Sequence, residues 1–448
     1  MLLLAIDWSE VGIKAGQLIL CLSILVILHE MGHFLPARWF KCRVEKFYLF
    51  FDPWFSLFKK KIGETEYGVG WLPLGGYVKI AGMIDESMDK EQLKQPPQPW
   101  EFRSKPAWQR LIIMIGGVTV NLILGFLLFG MILWIWGEKR LPMDKLEHGV
   151  MVNSISEKVG LKNGDQLISI DGDSVKDYYS LSRDIILEEA KTIQVRRDGQ
   201  TLNLNIPAGT IRSLIKTKIP FVLPRVYPVV DTVYKVARFT ENALKKNDHI
   251  LAINNVPVTY FDEYIKEKLK YKNQEVTLKV LRSGDTVQVK ALTDSVGAIG
   301  FNPDPERLAG SYIQDYSFFP AIPAGVKKGW ETLIMNVKNF KLLFTSPEVK
   351  ASESLGSFIS IGGMFAAEWD WERFWTMTAL LSIVLAFMNI LPIPALDGGH
   401  VLFTIYEMIS KRRPSEKFME YAQMTGMVLL LGLMAYALGL DIFRIFRG

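Results

Sequence analysis

Two cysteines in 448 residues, Cys21 and Cys42, leave no disulfide framework and no four-cysteine metal site. Neither is a good nucleophile candidate. Cys21 falls in an apolar run and reads as a small residue facing lipid or a neighbouring helix. Histidine is nearly as scarce, at five. Charge of one sign is also lacking: 52 Lys and Arg against 47 Asp and Glu give a net +5, small for this length and spread along it. That argues against a nucleic-acid partner. The N-terminal apolar stretch has no basic n-region, since Asp7 and Glu10 come first, and no small-residue cleavage site follows it. A signal peptide therefore fits poorly.

What the chain has is apolar residue, 49% of it, concentrated in runs. Leu18 to Leu28 is apolar except for Ser23; Leu111 to Trp136 is interrupted mainly by Thr119 and Asn121; Phe374 to Ile393 and Met424 to Leu440 complete the set. A hydrocarbon core needs about 20 residues of helix, so the first run must take in its neighbours to span. Extended forward, it admits His29, Glu30 and His33 before Pro36 and Arg38 close the segment. Four spans are expected.

His29, Glu30 and His33 form His-Glu-Met-Gly-His, the H-E-x-x-H pattern of zinc hydrolases. Residues four apart share a helix face, so both imidazoles can reach one metal, with Glu30 beside it as base for an attacking water. An ionisable cluster at membrane depth is costly unless paired or bound to a cation, so a functional site is the default reading.

Lys and Arg set the orientation. Arg38, Lys41, Arg43, Lys46 and Lys59 to Lys61 follow the first span, and Lys411, Arg412, Arg413 and Lys417 separate the third from the fourth. Those loops are expected to be cytoplasmic. The N-terminus and the Trp369, Trp371, Trp375 belt then face the other side, as does the long segment between the second and third spans.

That long segment repeats itself at an offset of roughly 83 to 85 residues. Asn163-Gly-Asp-Gln-Leu-Ile-Ser-Ile-Asp-Gly-Asp-Ser-Val175 matches Lys246-Asn-Asp-His-Ile-Leu-Ala-Ile-Asn-Asn-Val-Pro-Val258, and Val195 to Leu202 matches Val280 to Val287. Alternating strands, Gly/Asp/Asn turns and one helical stretch per copy (178–189; 261–271) resemble PDZ domains, which bind peptides by strand addition. A ligand-free spacer or gate is the plainer alternative. Beyond the repeat, Pro320 and Pro323 open an amphipathic stretch, Val326 to Phe344, read as a linker helix.

Catalytic zinc usually has three protein ligands. A further His six residues past His33 is missing, because that position is Trp39, and Pro36 is expected to break the helix. His148 and His249 lie in the repeat, which leaves an acidic residue or His400. Asp397 is the best candidate. It lies in Asn389-Ile-Leu-Pro-Ile-Pro-Ala-Leu-Asp-Gly-Gly399, at the inner end of a span parallel to the first, at similar depth. Its plainer role would be to cap a helix starting near Gly398. His400 reads as a supporting residue, Asn389 as a donor to substrate backbone, and Asn121 as a bridge between helices.

These motifs together make the whole chain resemble the site-2 protease family of intramembrane zinc metalloproteases, of the bacterial RseP (regulator of sigma-E protease) type. The resemblance implies an α-helical membrane protein with four transmembrane helices, a re-entrant β-hairpin and two inserted α+β PDZ domains. It implies one Zn2+ per chain on His29, His33 and Asp397, Glu30 as catalytic base, and a hairpin at about 44–80 in which Gly75, Gly76 and Tyr77 join Asn389 in holding substrate. The expected layout is a first span at 1–36, a cytoplasmic loop at 37–106, a second span at 107–137, PDZ domains at 138–220 and 221–305, and a linker at 306–371. A third span at 372–400, a cytoplasmic loop at 401–421 and a fourth span at 422–448 complete it. Substrates would be single-span membrane proteins, namely anti-sigma factors and remnant signal peptides, with peptide termini at the PDZ grooves. The enzyme would lie in the bacterial inner membrane, PDZ domains periplasmic and active site toward the cytoplasm. Two stretches depart from the family pattern: Leu49-Phe-Phe-Asp-Pro53 and Gly116-Gly-Val-Thr-Val-Asn121. The rival from another class is a non-catalytic membrane scaffold with peptide-binding domains; a metal transporter is disfavoured by the lack of a second site.

Overall fold

The computed structural model describes residues 7–73, 75–83, 96–354 and 356–447. The 84–95 part of the expected cytoplasmic loop lies outside them. The chain divides into two units, one of residues 1–137, 315–344 and 354–448, the other of 138–314 and 345–353.

The first unit is helical. Its labelled helices are α1 (Trp8–Trp39), α2 (Ala107–Trp136), α3 (Phe318–Thr345), α4 (Phe358–Gly363), α5 (Trp371–Ile390), α6 (Asp397–Ser410) and α7 (Glu416–Arg447). Among the described residues, four stretches are long and apolar enough to cross a membrane: Trp8–Trp39, Ala107–Trp136, Trp371–Ile390 and Lys417–Phe446. Asp7 caps α1 by accepting from the Ser9 and Glu10 amides.

The expected break at Pro36 does not occur, and α1 continues to Trp39. Proline removes only the bond to the carbonyl four residues back, here that of Gly32. That carbonyl lies where α2 comes closest, since a Cβ on Gly116 would sit 2.0 Å from it. The helix stops a turn later, where Lys41 takes φ +57 and the Cys42 amide bonds back to the Ala37 carbonyl.

Close approach recurs along α2. Gly32 faces Gly116 and Gly117, and Gly125 faces Ile383 of α5. Cys21, Leu25, Phe374 and Met377 pack together with Phe365, and Leu128, Phe129, Ile132, Ala379 and Ile383 form a second cluster. Cys21 is fully buried in this helix contact.

After α1 the chain forms four strands, β1 (Val44–Leu49), β2 (Phe51–Ile62), β3 (Thr65–Leu72) and β4 (Tyr77–Ile80). Their order is β2-β3-β1-β4, with β1 parallel to β3 and antiparallel to β4. Gly63, at φ +63, turns β2 into β3. The expectation of a single hairpin over 44–80 is thereby enlarged to a four-stranded sheet, because the Phe50 turn folds β2 and β3 back beside β1. Phe50 and Trp54 both hold positive φ, at +67 and +74, uncommon for bulky residues. Trp54, Phe55, Leu57, Phe58 and Ile62 of β2 are exposed.

Further boundaries move. The expected loop at 401–421 is mostly helical, since α6 runs on to Ser410 and α7 begins at Glu416. In the second unit the boundary expected after residue 220 falls later: Phe221 and Val222 belong to the first copy's core, and Leu223–Pro224 pairs with Val150–Met151. Tyr312–Gln314 pairs with Glu138–Arg140, carrying this unit past residue 305.

Each copy in the second unit has an antiparallel sheet and a helix at matching positions, Tyr178–Leu187 or Phe261–Lys268, and the first copy adds a second helix, Thr210–Thr217, whose Leu214 joins its core. The repeat extends to interactions. Arg197 grips Asp165 at 2.7 Å and donates to the Gly160 carbonyl; Arg282 grips Asp248 at 2.7 Å and donates to the Ala243 carbonyl. Gly164 at φ +93 is matched by Asn247 at φ +70, so the copies differ in residue while keeping the left-handed turn that Asn tolerates. At Asp171 burial pushes the carboxyl up, but bonds from the Lys191 amide and the Thr192 hydroxyl and amide outweigh it and hold the group below its ordinary range.

Both aspartates of the Arg grips are 1% exposed, so removing a guanidinium strands a buried carboxylate. Arg197→Met and Arg282→Met should each destabilise their own copy by about 3 kcal/mol. Hydrogen exchange on the full-length protein should show faster exchange at 166–170 for the first variant and at 249–253 for the second; unchanged protection would refute the assignment.

Candidate metal centre

His29 and His33 lie one turn apart on α1, both buried, with ring centroids 4.9 Å apart at 84°. Asp397 is the first residue of α6. Its position depends on the irregular stretch between α5 and α6, where Ala395 has φ +89 and its amide donates to Gln423 Oε1 at 3.2 Å. Gly398 and Gly399 let the start of α6 tuck under the end of α5, since a Cβ on either would lie within 2.1 Å of the Leu391 carbonyl oxygen or 2.7 Å of Pro394 Cα. The plainer capping role for Asp397 is absent, as no side chain caps this helix.

The three side chains meet. His29 Nε2 and His33 Nε2 are 3.3 Å apart, and Asp397 Oδ2 is 3.2 Å from each. They are a metal-competent trio found among the described residues. A tetrahedral zinc with bonds of about 2.0–2.1 Å requires ligand atoms roughly 3.3 Å apart. The triangle fits that requirement. Asp397 Oδ2 is buried without a hydrogen-bond partner, so it is within ion-pair distance of both imidazoles but not aligned with either. Three donors converging on a shared point, two imidazoles and a carboxylate, are a set suited to zinc.

Two features of α2 frame this trio. The Ile113 carbonyl lies 2.8 Å from His33 Nδ1, and the Asn121 amide 3.1 Å from His29 Nδ1. Between them Gly117 leaves the imidazoles room, because a Cβ there would sit 2.4 Å from His33 Nε2 and 2.7 Å from His29 Cε1. Asn389, near the end of α5, brings its amide 3.2 Å from His29 Nε2.

Glu30 faces the sheet. A Cβ on Gly76 would lie 3.5 Å from Glu30 Cγ and 2.6 Å from Val26 Cγ1, so glycine lets β4 approach α1 here. Tyr77 turns the other way: its hydroxyl donates to Asp52 at 2.9 Å and its ring stacks on Tyr48 and Phe51. Gly75 packs on the Phe51 ring. The structure thus gathers His29, His33, Asp397 and Asn389, sets Gly76 against Glu30, and engages Tyr77 within the sheet. His400 stays outside the triangle and lines a separate cavity with Arg110 and Glu407.

Sequence reasoning missed Ile113, Gly117 and the contact of Asn121. The available signal was their spacing, four apart on α2, which places all three on one helix face.

Comparison with known proteins points the same way. The profile of peptidase family M50 matches residues 17–433. The chain is 26% identical to the regulator of sigma-E protease RseP of Escherichia coli over 456 residues, covering 96% of this chain and 98% of the relative. It is equally 26% identical to the regulator of sigma E protease of Haemophilus influenzae, covering 96% and 98%. A Thermotoga maritima protein named "Putative zinc metalloprotease" is 25% identical, covering 95% and 98%.

Because the added methyl would overlap both rings, Gly117→Ala should displace both imidazoles. Zinc measured by mass spectrometry in the purified variant should fall well below one per chain; full occupancy would mean that the histidines can move aside.

Proposed function

The chain belongs to peptidase family M50, the site-2 protease family, and is a zinc metalloprotease; from that premise we propose that it hydrolyses peptide bonds within or beside the transmembrane segments of single-span membrane proteins. His29, His33 and Asp397 are the proposed zinc ligands and Glu30 the general base. The observation that carries this reading is the closed triangle of donor atoms, with edges of 3.2–3.3 Å, set among helices apolar enough to span a bilayer.

Zinc supplies, when bound, the Lewis acidity that polarises a carbonyl and makes a water acidic near neutral pH. The chain does the rest. Glu30 takes the proton of the attacking water and returns it to the leaving amine. Asn389, beside His29, donates its amide to the substrate backbone and holds the scissile unit in register.

A transmembrane substrate hides its carbonyls in helical hydrogen bonds, so it must unwind before attack. The sheet order supports a receptor for the unwound strand, since β4 is an edge strand and Gly76 brings it to Glu30. Strand addition at that edge would restore backbone bonds lost from the helix. In this reading the sheet is a re-entrant structure, and the exposed apolar side chains of β2 suit contact with lipid.

The two copies in the second unit are read as PDZ domains. Their sheets, each flanked by a helix at the matching position, support peptide binding by strand addition or screening of substrates by size. The RseP relatives support a bacterial inner-membrane setting, and the Lys and Arg distribution supports an orientation with these domains periplasmic and the metal centre toward the cytoplasm. Anti-sigma factors and remnant signal peptides are the proposed substrate classes, in a pathway of regulated intramembrane proteolysis.

Purified Glu30→Gln should retain zinc and lose cleavage of a single-span substrate by about 10²–10⁴-fold. Wild-type cleavage by this variant would overturn the reading. Asn389→Leu should keep zinc and lower turnover roughly tenfold, the value of one hydrogen bond at the reacting amide. An unimpaired Asn389→Leu enzyme would remove Asn389 from the site.

A further inference from the structure

We propose that Asn121 is a positioning residue for the metal: its amide oxygen accepts the Nδ1 proton of His29 and so fixes the tautomer whose Nε2 is free to bind zinc. This rests on reading His29 as a zinc ligand.

A neutral imidazole carries one proton. If Nε2 ligates, the proton is on Nδ1 and, in a buried site, needs an acceptor. His33 has one in the Ile113 main-chain carbonyl at 2.8 Å. For His29 the group within reach of Nδ1 is the Asn121 side chain, whose Nδ2 as placed lies 3.1 Å away. The two ends of a carboxamide exchange places by a half-turn, so the proton on Nδ1 decides which end faces it, and only oxygen can accept. Asn389 is no rival for this role, because it approaches Nε2, the ligating side.

Burial gives the second argument. Asn121 is fully buried, and the end of its amide not facing His29, Oδ1 as placed, has no hydrogen-bond partner. A residue needed only to fill space would be better as leucine, which leaves nothing unpaired. Nor is the side chain needed to join helices. Ser382 of α5 donates to the Asn121 main-chain carbonyl at 2.7 Å, a bond that any residue at 121 could accept. What the side chain adds is its contact with His29.

The two histidines are therefore oriented by one face of α2, by a backbone carbonyl at Ile113 and a side-chain amide at Asn121, with the Gly117 gap between. Only the second can be altered by substitution without breaking the helix.

The test is zinc affinity of the full-length protein in detergent, by competition with a chromophoric chelator, together with size-exclusion elution. Asn121→Leu should weaken zinc binding about 10–100-fold while eluting as wild type, whereas Asn121→Asp, which accepts but does not donate, should stay within about threefold of wild type or bind tighter. Wild-type affinity in Asn121→Leu would overturn the proposal. So would an Asn121→Asp protein as weak as the leucine variant, since that would place the donating end against His29. If the leucine variant does not elute as a single species, Asn121→Ala, which needs less space, provides the same comparison. His29→Ala separates the two levels of the argument: wild-type affinity there refutes the metal centre itself, while loss there with full affinity in Asn121→Leu refutes only the role of Asn121.

Discussion

Placing two imidazoles and a carboxylate among apolar helices is the constraint from which the rest of the first unit follows. Each polar atom taken out of water needs a partner or a cation. The helices carrying them must also come close enough for ligands from distant parts of the chain to meet. Glycine meets the second need at the α1–α2 crossing, where Gly32, Gly116 and Gly117 remove side chains from the contact. The first need is met by α2 itself, which offers a carbonyl to His33 and an amide to His29. A helix packed this tightly is a wall of the site as well as a span.

The carboxylate poses a different problem. A continuous helix would carry Asp397 past the histidines, so the backbone has to stop and restart. Pro392 and Pro394 stop it, Ala395 takes a left-handed conformation that costs on the order of 1 kcal/mol or more, and α6 restarts at Asp397. Non-helical backbone at membrane depth survives only where protein satisfies it, and the Gln423 side chain of α7 bonds the Ala395 amide for that purpose. The local strain and the position of Asp397 are one device. Gly398 and Gly399 belong to it as well, because any side chain there would push α6 off the end of α5.

Much of this was legible in the sequence, and the reason differs from residue to residue. His29, Glu30 and His33 were readable because helix periodicity converts spacing into a shared face. Asp397 was readable because parallel spans convert distance along the chain into depth. The internal repeat was readable from its turns, and its Arg–Asp grips recur with the same backbone acceptor in each copy. Pro36 misled, because a proline forfeits one bond and a helix held by tertiary contact can forgo it. The parallel pairing of β1 with β3 could not be foreseen, since it depends on a left-handed Phe50, a conformation that a phenylalanine does not advertise. Asn121 was seen but read as a bridge between helices; sequence could not say which neighbour its side chain meets. Ile113 contributes a main-chain atom, which no residue identity reveals.

The sheet closes the argument by linking strain to placement. Phe50 and Trp54 hold left-handed conformations around the start of β2, and such strain persists only when surroundings over-determine it. Those surroundings are visible: Tyr77 donates to Asp52, Ser56 also donates to Asp52, and Tyr48 donates to Glu66. Gly70 admits the Phe50 and Phe51 carbonyls at a distance no side chain would allow, and Gly68 admits the Tyr48 ring. These bonds fasten β2, β3 and β1 to β4, so that the position of the edge strand beside Glu30 is set by the whole sheet rather than by four residues. A strand held in this way loses little freedom when another pairs with it, which under the proposed function would lower the entropic cost of binding an unwound chain at that edge. The exposed apolar face of β2 and the ordered edge of β4 are then two sides of one element, the former suited to lipid and the latter to a peptide backbone.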